Sequence, residues 1–200
     1  MTTTPDQAHR VAVTFPVAGE TLDVDAAISV FHRWIREGCA LEGLLIDVAD
    51  YRHVPDGPGV LLIGLDRDRS TEFSTGEVAI RSMSKRPLAD DLTGHVRAVA
   101  HDALVLAAGL AEPDAFGDAA RIDVSGCRVT VLDRLRSTND AAGAATVEPA
   151  VREALEGLEP GEIVREISDP RGPLSLRVAL GAGGEPAALA ERLTASATRG

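Results

Sequence analysis

Residues 41–66, "LEGLLIDVADYRHVPDGPGVLLIGLD", decide how this chain is read. Two apolar runs flank a turn built from Pro55, Asp56, Gly57, Pro58 and Gly59, the usual signal of a β-hairpin. Leu44, Leu45, Ile46 and Val48 on one arm face Val60, Leu61, Leu62 and Ile63 on the other. Neither run alternates. A strand that is apolar on both sides is usually covered on both faces or lies mid-sheet. The reading therefore predicts an extended ribbon over 44–63 in the middle of the fold.

The first arm ends in side chains that can do chemistry. Alternate strand residues share a face, so Asp47, Tyr51 and His53 fall on one side and Asp50 and Arg52 on the other. A carboxylate amid apolar surface is costly unless it is paired, and burial raises its pKa, which is how a general acid or base is prepared. His53 is suited to moving protons near neutral pH, and Tyr51 to donating a hydrogen bond. Asp47, Asp50, Tyr51 and His53 are thus the candidate catalytic residues. The competing reading has Asp50 and Arg52 paired with neighbours and the glycines serving only the turn. No nucleophile or metal-ligand spacing accompanies the group.

Working outward, "RVAVTFPV" (10–17) reads as a strand after a disordered opening at 1–9. "TLDVDAAISVFHRWIREG" (21–38) carries a clear helix signal, with Thr21 or Asp23 as cap, Gly38 at the C-terminal end, and Val24, Ala27, Ile28, Phe31, Trp34 and Ile35 on one face. Past the hairpin, "RDRSTEFSTG" (67–76) reads as polar turn, 77–87 as a strand, and 89–111 as a long helix. "EPDAFGD" (112–118) breaks the pattern and divides a first half, 10–111, from a second, 119–200. The second half predicts a hairpin about Ser125-Gly126, a helix over 147–158, a hairpin around "DPRGP" (169–173) and a helix over 185–196. Leu174, Leu176, Val178 and Leu180 alternate, so that last hairpin has one wet face.

Each half gives a helix, a hairpin with Gly-Pro in its turn, and another helix, the pattern of an internal duplication. The class expected is α+β: an antiparallel or mixed sheet with helices packed on one face and both halves in one compact unit. No GxGxxG joins a strand to a helix, which disfavours a dinucleotide fold. The run "IDVADYRHVPDGPGVLLIG" (46–64) resembles a stretch found in uncharacterised bacterial proteins. It spans about a tenth of the 200-residue chain, and the resemblance implies no activity and no functional residue.

Composition narrows the function. Hydrophobic residues make up 44% and aromatics 3%, so the core is expected from Val, Leu, Ile and Ala. A formal charge of −11, with no basic stripe to offset it, opposes nucleic acid and anionic membranes. Cys39 and Cys127 lie far apart, and no apolar stretch approaches the ~18 residues of a membrane span. The expectation is a cytoplasmic protein. On the long helix, Asp91 and His95 sit four apart, where they either hold a divalent metal or make an ordinary helix-end contact; the latter is preferred. Cys39, past a helix C-terminus, is expected to have a raised thiol pKa, and Cys127 to be core packing.

No cofactor motif is present. The favoured function is a binding or scaffolding homo-oligomer with a small-molecule ligand and no chemistry of its own. The alternative is a small enzyme using acid–base chemistry at the 47–59 hairpin.

Overall fold

The computed structural model describes residues 10–18, 22–55, 57–72, 78–117, 121–167, 169 and 171–197. Its strands are β1 (Val11–Ala18), β2 (Leu45–Asp50), β3 (Val60–Gly64), β4 (Arg67–Glu72), β5 (Ala79–Ser84), β6 (Arg121–Ile122), β7 (Gly126–Val131), β8 (Pro160–Glu166) and β9 (Leu174–Leu180). The helices are α1 (Val24–Glu37), α2 (Leu92–Ala111), α3 (Ala141–Ala154) and α4 (Pro186–Ala197). Every strand pairing is antiparallel, in the order β2-β3-β4-β5-β1-β7-β9-β8, with β6 on the end of β1. The expected disordered opening at 1–9 lies outside the described residues.

Period-two burial sorts the sheet into two faces. In one register, Leu62, Arg69, Ser82, Val13, Val129 and Leu176 run side by side across six strands. All six are buried beneath the helices. The other face carries Leu61, Ser70, Arg81, Thr14, Arg128 and Arg177, with no helix on it among the described residues. The four helices thus form one layer. α2 lies across β1 and β5, α1 covers β2 and β3, α3 covers β8 and β9, and α4 packs on α2. One continuous core runs through both halves of the chain.

Helix ends follow local chemistry. Asp23 caps α1 by accepting from the Asp25 and Ala26 amides, and Gly38 ends it at φ 86°. That is a left-handed geometry open to glycine without strain. Asp91 caps α2 through Gly94 N–H, at 2.6 Å. α3 begins at Ala141, six positions before its predicted start, and carries Pro149 inside. The Asp140 side chain accepts from Gly143 N–H at 2.7 Å, and this cap starts the helix earlier.

Three readings need correction. The 41–66 hairpin forms, but at the sheet edge, where β3 is largely buried while β2, although α1 packs on it, leaves Ile46, Asp47 and Asp50 exposed. Leu44 is 63% exposed and Ile46 51%. Ile46 is the extra residue of a bulge between Leu45 and Asp47, so the apolar run on β2 does not mark burial on both faces. Residues 67–72 form a strand rather than a turn. Its charged side chains Arg67, Asp68, Arg69 and Glu72 find partners elsewhere in the chain, which local propensity does not encode. Finally, β6 pairs with β1, not β7. Asp123 N–H bonds Pro16 O at 2.8 Å, so 121–123 straps the end of β1 instead of closing a hairpin at Ser125-Gly126.

The two halves follow related paths. β1 leads into α1, a meander returning to β1 through β5, and then α2. β7 leads into α3, a hairpin returning to β7 through β9, and then α4. The starting strands β1 and β7 pair with each other at the centre.

What clamps α2 to the sheet is a carboxylate. Asp102 Oδ1 accepts from Arg67 Nη1 at 2.8 Å and Arg69 Nη2 at 2.5 Å, while Oδ2 accepts from Arg69 Nε at 2.9 Å and Ser82 Oγ at 2.6 Å. Both Arg69 and Asp102 side chains are 1% exposed. Burial pushes the Asp102 carboxyl up, but the bonds and charge of Arg69, the Ser82 hydroxyl and the charge of Arg67 together bring it below the usual value. Its contribution to stability is therefore complete above the unfolded aspartate value, ~3.9, and is lost as pH falls through the lower folded value.

Replacing Asp102 by Ala leaves Arg69 charged and buried without its counter-ion, and should cost about 3–5 kcal/mol in urea unfolding. The double variant Asp102→Leu/Arg69→Met should recover most of that loss. A single variant within 1 kcal/mol of wild type, on the order of a surface change, would contradict the clamp.

Candidate functional site

The hairpin residues singled out by sequence lie on open surface. Asp47, Asp50, Tyr51 and His53 are all exposed. Tyr51 and His53 stack with ring centroids 6.5 Å apart. Asp50 is gripped by Arg52, with Nε at 3.0 and 2.9 Å from its two oxygens and Nη2 at 2.6 Å. Arg52 also meets Asp25 of α1 at 3.1 Å. The Arg52 side chain, then its backbone amide, bring the Asp50 carboxyl down to about 2. At neutral pH it is a committed anion with little basicity.

Asp47 has a different task. Tyr51 N–H bonds Gly59 O across the hairpin at 2.8 Å, and alternation then turns Val48 N–H away from β3. Asp47 Oδ1 accepts that outward amide at 2.8 Å. The edge is blunted by its own side chain.

A pocket of about 360 Å³ opens on the uncovered face of the sheet, over β1, β7, β9 and β8. Pro16, Val78, Ala79 and Val164 supply apolar wall, and Arg128, Arg177, Glu162, Glu166 and Asp123 supply charge. Arg128 and Arg177 are direct cross-strand partners. Like charges so placed destabilise a sheet unless neutralised. Glu166 reaches Arg128 Nε at 2.5 Å. Arg177 has no ion pair among the described residues, and neither has Glu162. The pocket therefore holds an unmet cation and an unmet anion beside an apolar wall.

Its other ionisable groups are settled. The Ser125 hydroxyl and backbone amide hold the Asp123 carboxyl below the usual range. Cys127, under the floor, has a thiol that burial pushes up to about 12, so it stays protonated. The residues of this pocket went unread because their signal is register. Arg128 in "CRVTV" and Arg177 in "SLRVAL" are visibly outward positions of alternating strands, but only strand order puts them side by side.

Elsewhere, Asp91 and His95 do not converge. Asp91 caps α2, while His95 is fully buried with Nε2 2.8 Å from Ser84 Oγ. Cys39 is exposed, and partial burial raises its thiol pKa despite the opposing Leu41 amide and Arg69 charge. Among the described residues, no helix is long and apolar enough to cross a membrane. No family model, curated protein or solved structure matches the chain.

The Asp50 clamp has a direct readout. In a carboxyl NMR titration Asp50 should titrate near 2, and Arg52→Gln should bring it back toward the ordinary value of ~3.9. An unchanged midpoint in the variant would show that Arg52 is not the cause.

Proposed function

We propose that this protein is a binding protein that takes a small bipolar molecule in the open-face pocket and performs no chemistry on it. The observation that carries the reading is Arg177, set directly across from Arg128 and without an ion pair of its own among the described residues. An incoming carboxylate at Arg177 relieves the repulsion between the two through a charge-assisted, bidentate contact. Glu162 and Asp123 favour an amine at the other end, and Pro16, Val78 and Val164 suit an apolar side group. Free apolar amino acids and short peptides have this chemistry. The protonated Cys127 thiol, the Asp123 carboxylate held low by Ser125 and the ion-paired Glu166 support binding without catalysis.

Two further parts of the reading have their own support. Cys39 and Cys127 are both free thiols, which favours a reducing compartment and hence the cytoplasm. Leu44, Ile46 and Leu65 form an exposed apolar cluster at the hairpin edge, which favours self-association by side-chain packing, since Asp47 obstructs sheet continuation. The matching strand–helix–meander–helix paths, joined at β1 and β7, favour an internal duplication. The second reading, acid–base chemistry at the hairpin, rests on the Tyr51–His53 stack beside Asp50. It is the weaker one, because the strongest acid there is already committed to Arg52.

A thermal-shift panel of amino acids, dipeptides and their N-acetylated forms tests the pocket. A ligand at about a hundred times its Kd adds ~2.7 kcal/mol, a shift of several degrees. Arg177→Ala should leave the free protein as stable as wild type and abolish the ligand shift. No shift from any compound, or one that survives Arg177→Ala, would sink the proposal. For self-association, sedimentation at micromolar concentration should show an oligomer that Ile46→Lys weakens. A wild-type monomer retires that part alone.

A further inference from the structure

On the opposite side of the molecule a groove of about 730 Å³ runs between α1 and α4, with α2 as its floor. We infer that this groove is a docking site for a basic amphipathic helix of a partner protein. The inference is independent of the open-face pocket.

The shape argues for a helix. His101, Val105, Ala108 and Gly109 of α2 and its C-cap Glu112 line it, a stripe with helical spacing that covers twelve positions, about 16 Å. Ala187, Ala190, Glu191 and Thr194 of α4 line the wall with the same periodicity. Small side chains along two helices let a third approach closely, ridge into groove. α2 is apolar around most of its circumference, as a helix enclosed on all sides is, yet Val105 and Ala108 remain half-exposed. Trp34 of α1 closes the other wall. A Cβ on Gly109 would lie 3.2 Å from its indole ring, so glycine there lets the ring lie on α2.

The charge argues for a cationic occupant. Arg33 on the rim is paired with Asp114 at 3.4 Å. Glu112 and Glu191 have no ion pair among the described residues. The last turn of α2 carries no basic residue to offset the negative end of its dipole at that end of the groove. A helix with apolar residues at i, i+3, i+4 and i+7 and lysine or arginine beside them fits both features. Three arginines of this chain's own helices are occupied elsewhere. Arg36, Arg152 and Arg192 are already paired with Glu37, Glu148 and Glu159.

The groove contains two native reporters, the single tryptophan Trp34 and the exposed thiol Cys39. The probe is an 18-residue helical peptide of Leu and Lys in that pattern, with a Leu/Glu counterpart as control. The Lys peptide should shift Trp34 emission and slow Cys39 alkylation at least tenfold at saturation, and the Glu peptide should do neither. Ala187→Arg, at an exposed wall position, and the rim reversal Glu112→Lys/Glu191→Lys should each weaken binding at least tenfold. Circular dichroism checks that both variants fold. Three results would overturn the inference: no binding, binding that leaves Trp34 and Cys39 unaffected, or equal binding by the folded variants. Protection of Cys39 by self-association without peptide would assign the groove to a second copy instead.

Discussion

The rest of the structure depends on the Asp102 carboxylate and the two arginines that hold it. A 20-residue helix with so little polar surface could slide or roll on an aliphatic sheet, since hydrophobic contact has no direction. Four hydrogen bonds to Arg67, Arg69 and Ser82 give it one. They fix α2 in rotation and in register across β4 and β5, and α3 and α4 then pack against it. The same bonds explain why a strand as polar as "RDRSTE" lies in the interior of the sheet order. Its arginines are tolerated beneath the helices only because Asp102 meets them there.

That arrangement puts all helical cover on one face. The opposite face keeps small residues such as Ala12, Thr14 and Ser70 between long charged ones. Arg81 is answered by Glu72 at 2.9 Å and Arg128 by Glu166, while Arg177 has no ion pair among the described residues. Folding brings like charges together across β7 and β9, and nothing in packing requires it. An electrostatic conflict maintained on an accessible surface is the kind of feature that binding resolves, and it sets this pocket apart from the hairpin, where Arg52 already neutralises Asp50.

Elements with strong local signals were legible in the sequence. Asp23 and Gly38 announce the ends of α1, and Leu174, Leu176, Val178 and Leu180 announce β9 and its buried face. The antiparallel α+β class follows from the hairpins and amphipathic helices together. Position within the sheet was not legible. Leu44 and Ile46 read as buried because apolar runs usually are, but a bulge at Ile46 and an edge location expose both. β4 was missed because its partners lie on a helix about 33 residues away. The arginine pair was missed for a related reason: each residue is an ordinary outward position, and only the pairing of β7 with β9 makes them a site.

Amide chemical-shift mapping with an apolar amino acid or dipeptide is the most direct test of the open face as the binding surface. The account predicts perturbations concentrated on 126–130, 162–166 and 175–179, with the Arg177 side-chain signal moving furthest. Perturbations confined to the 47–59 hairpin, or spread over the helical layer with the sheet face silent, would contradict it.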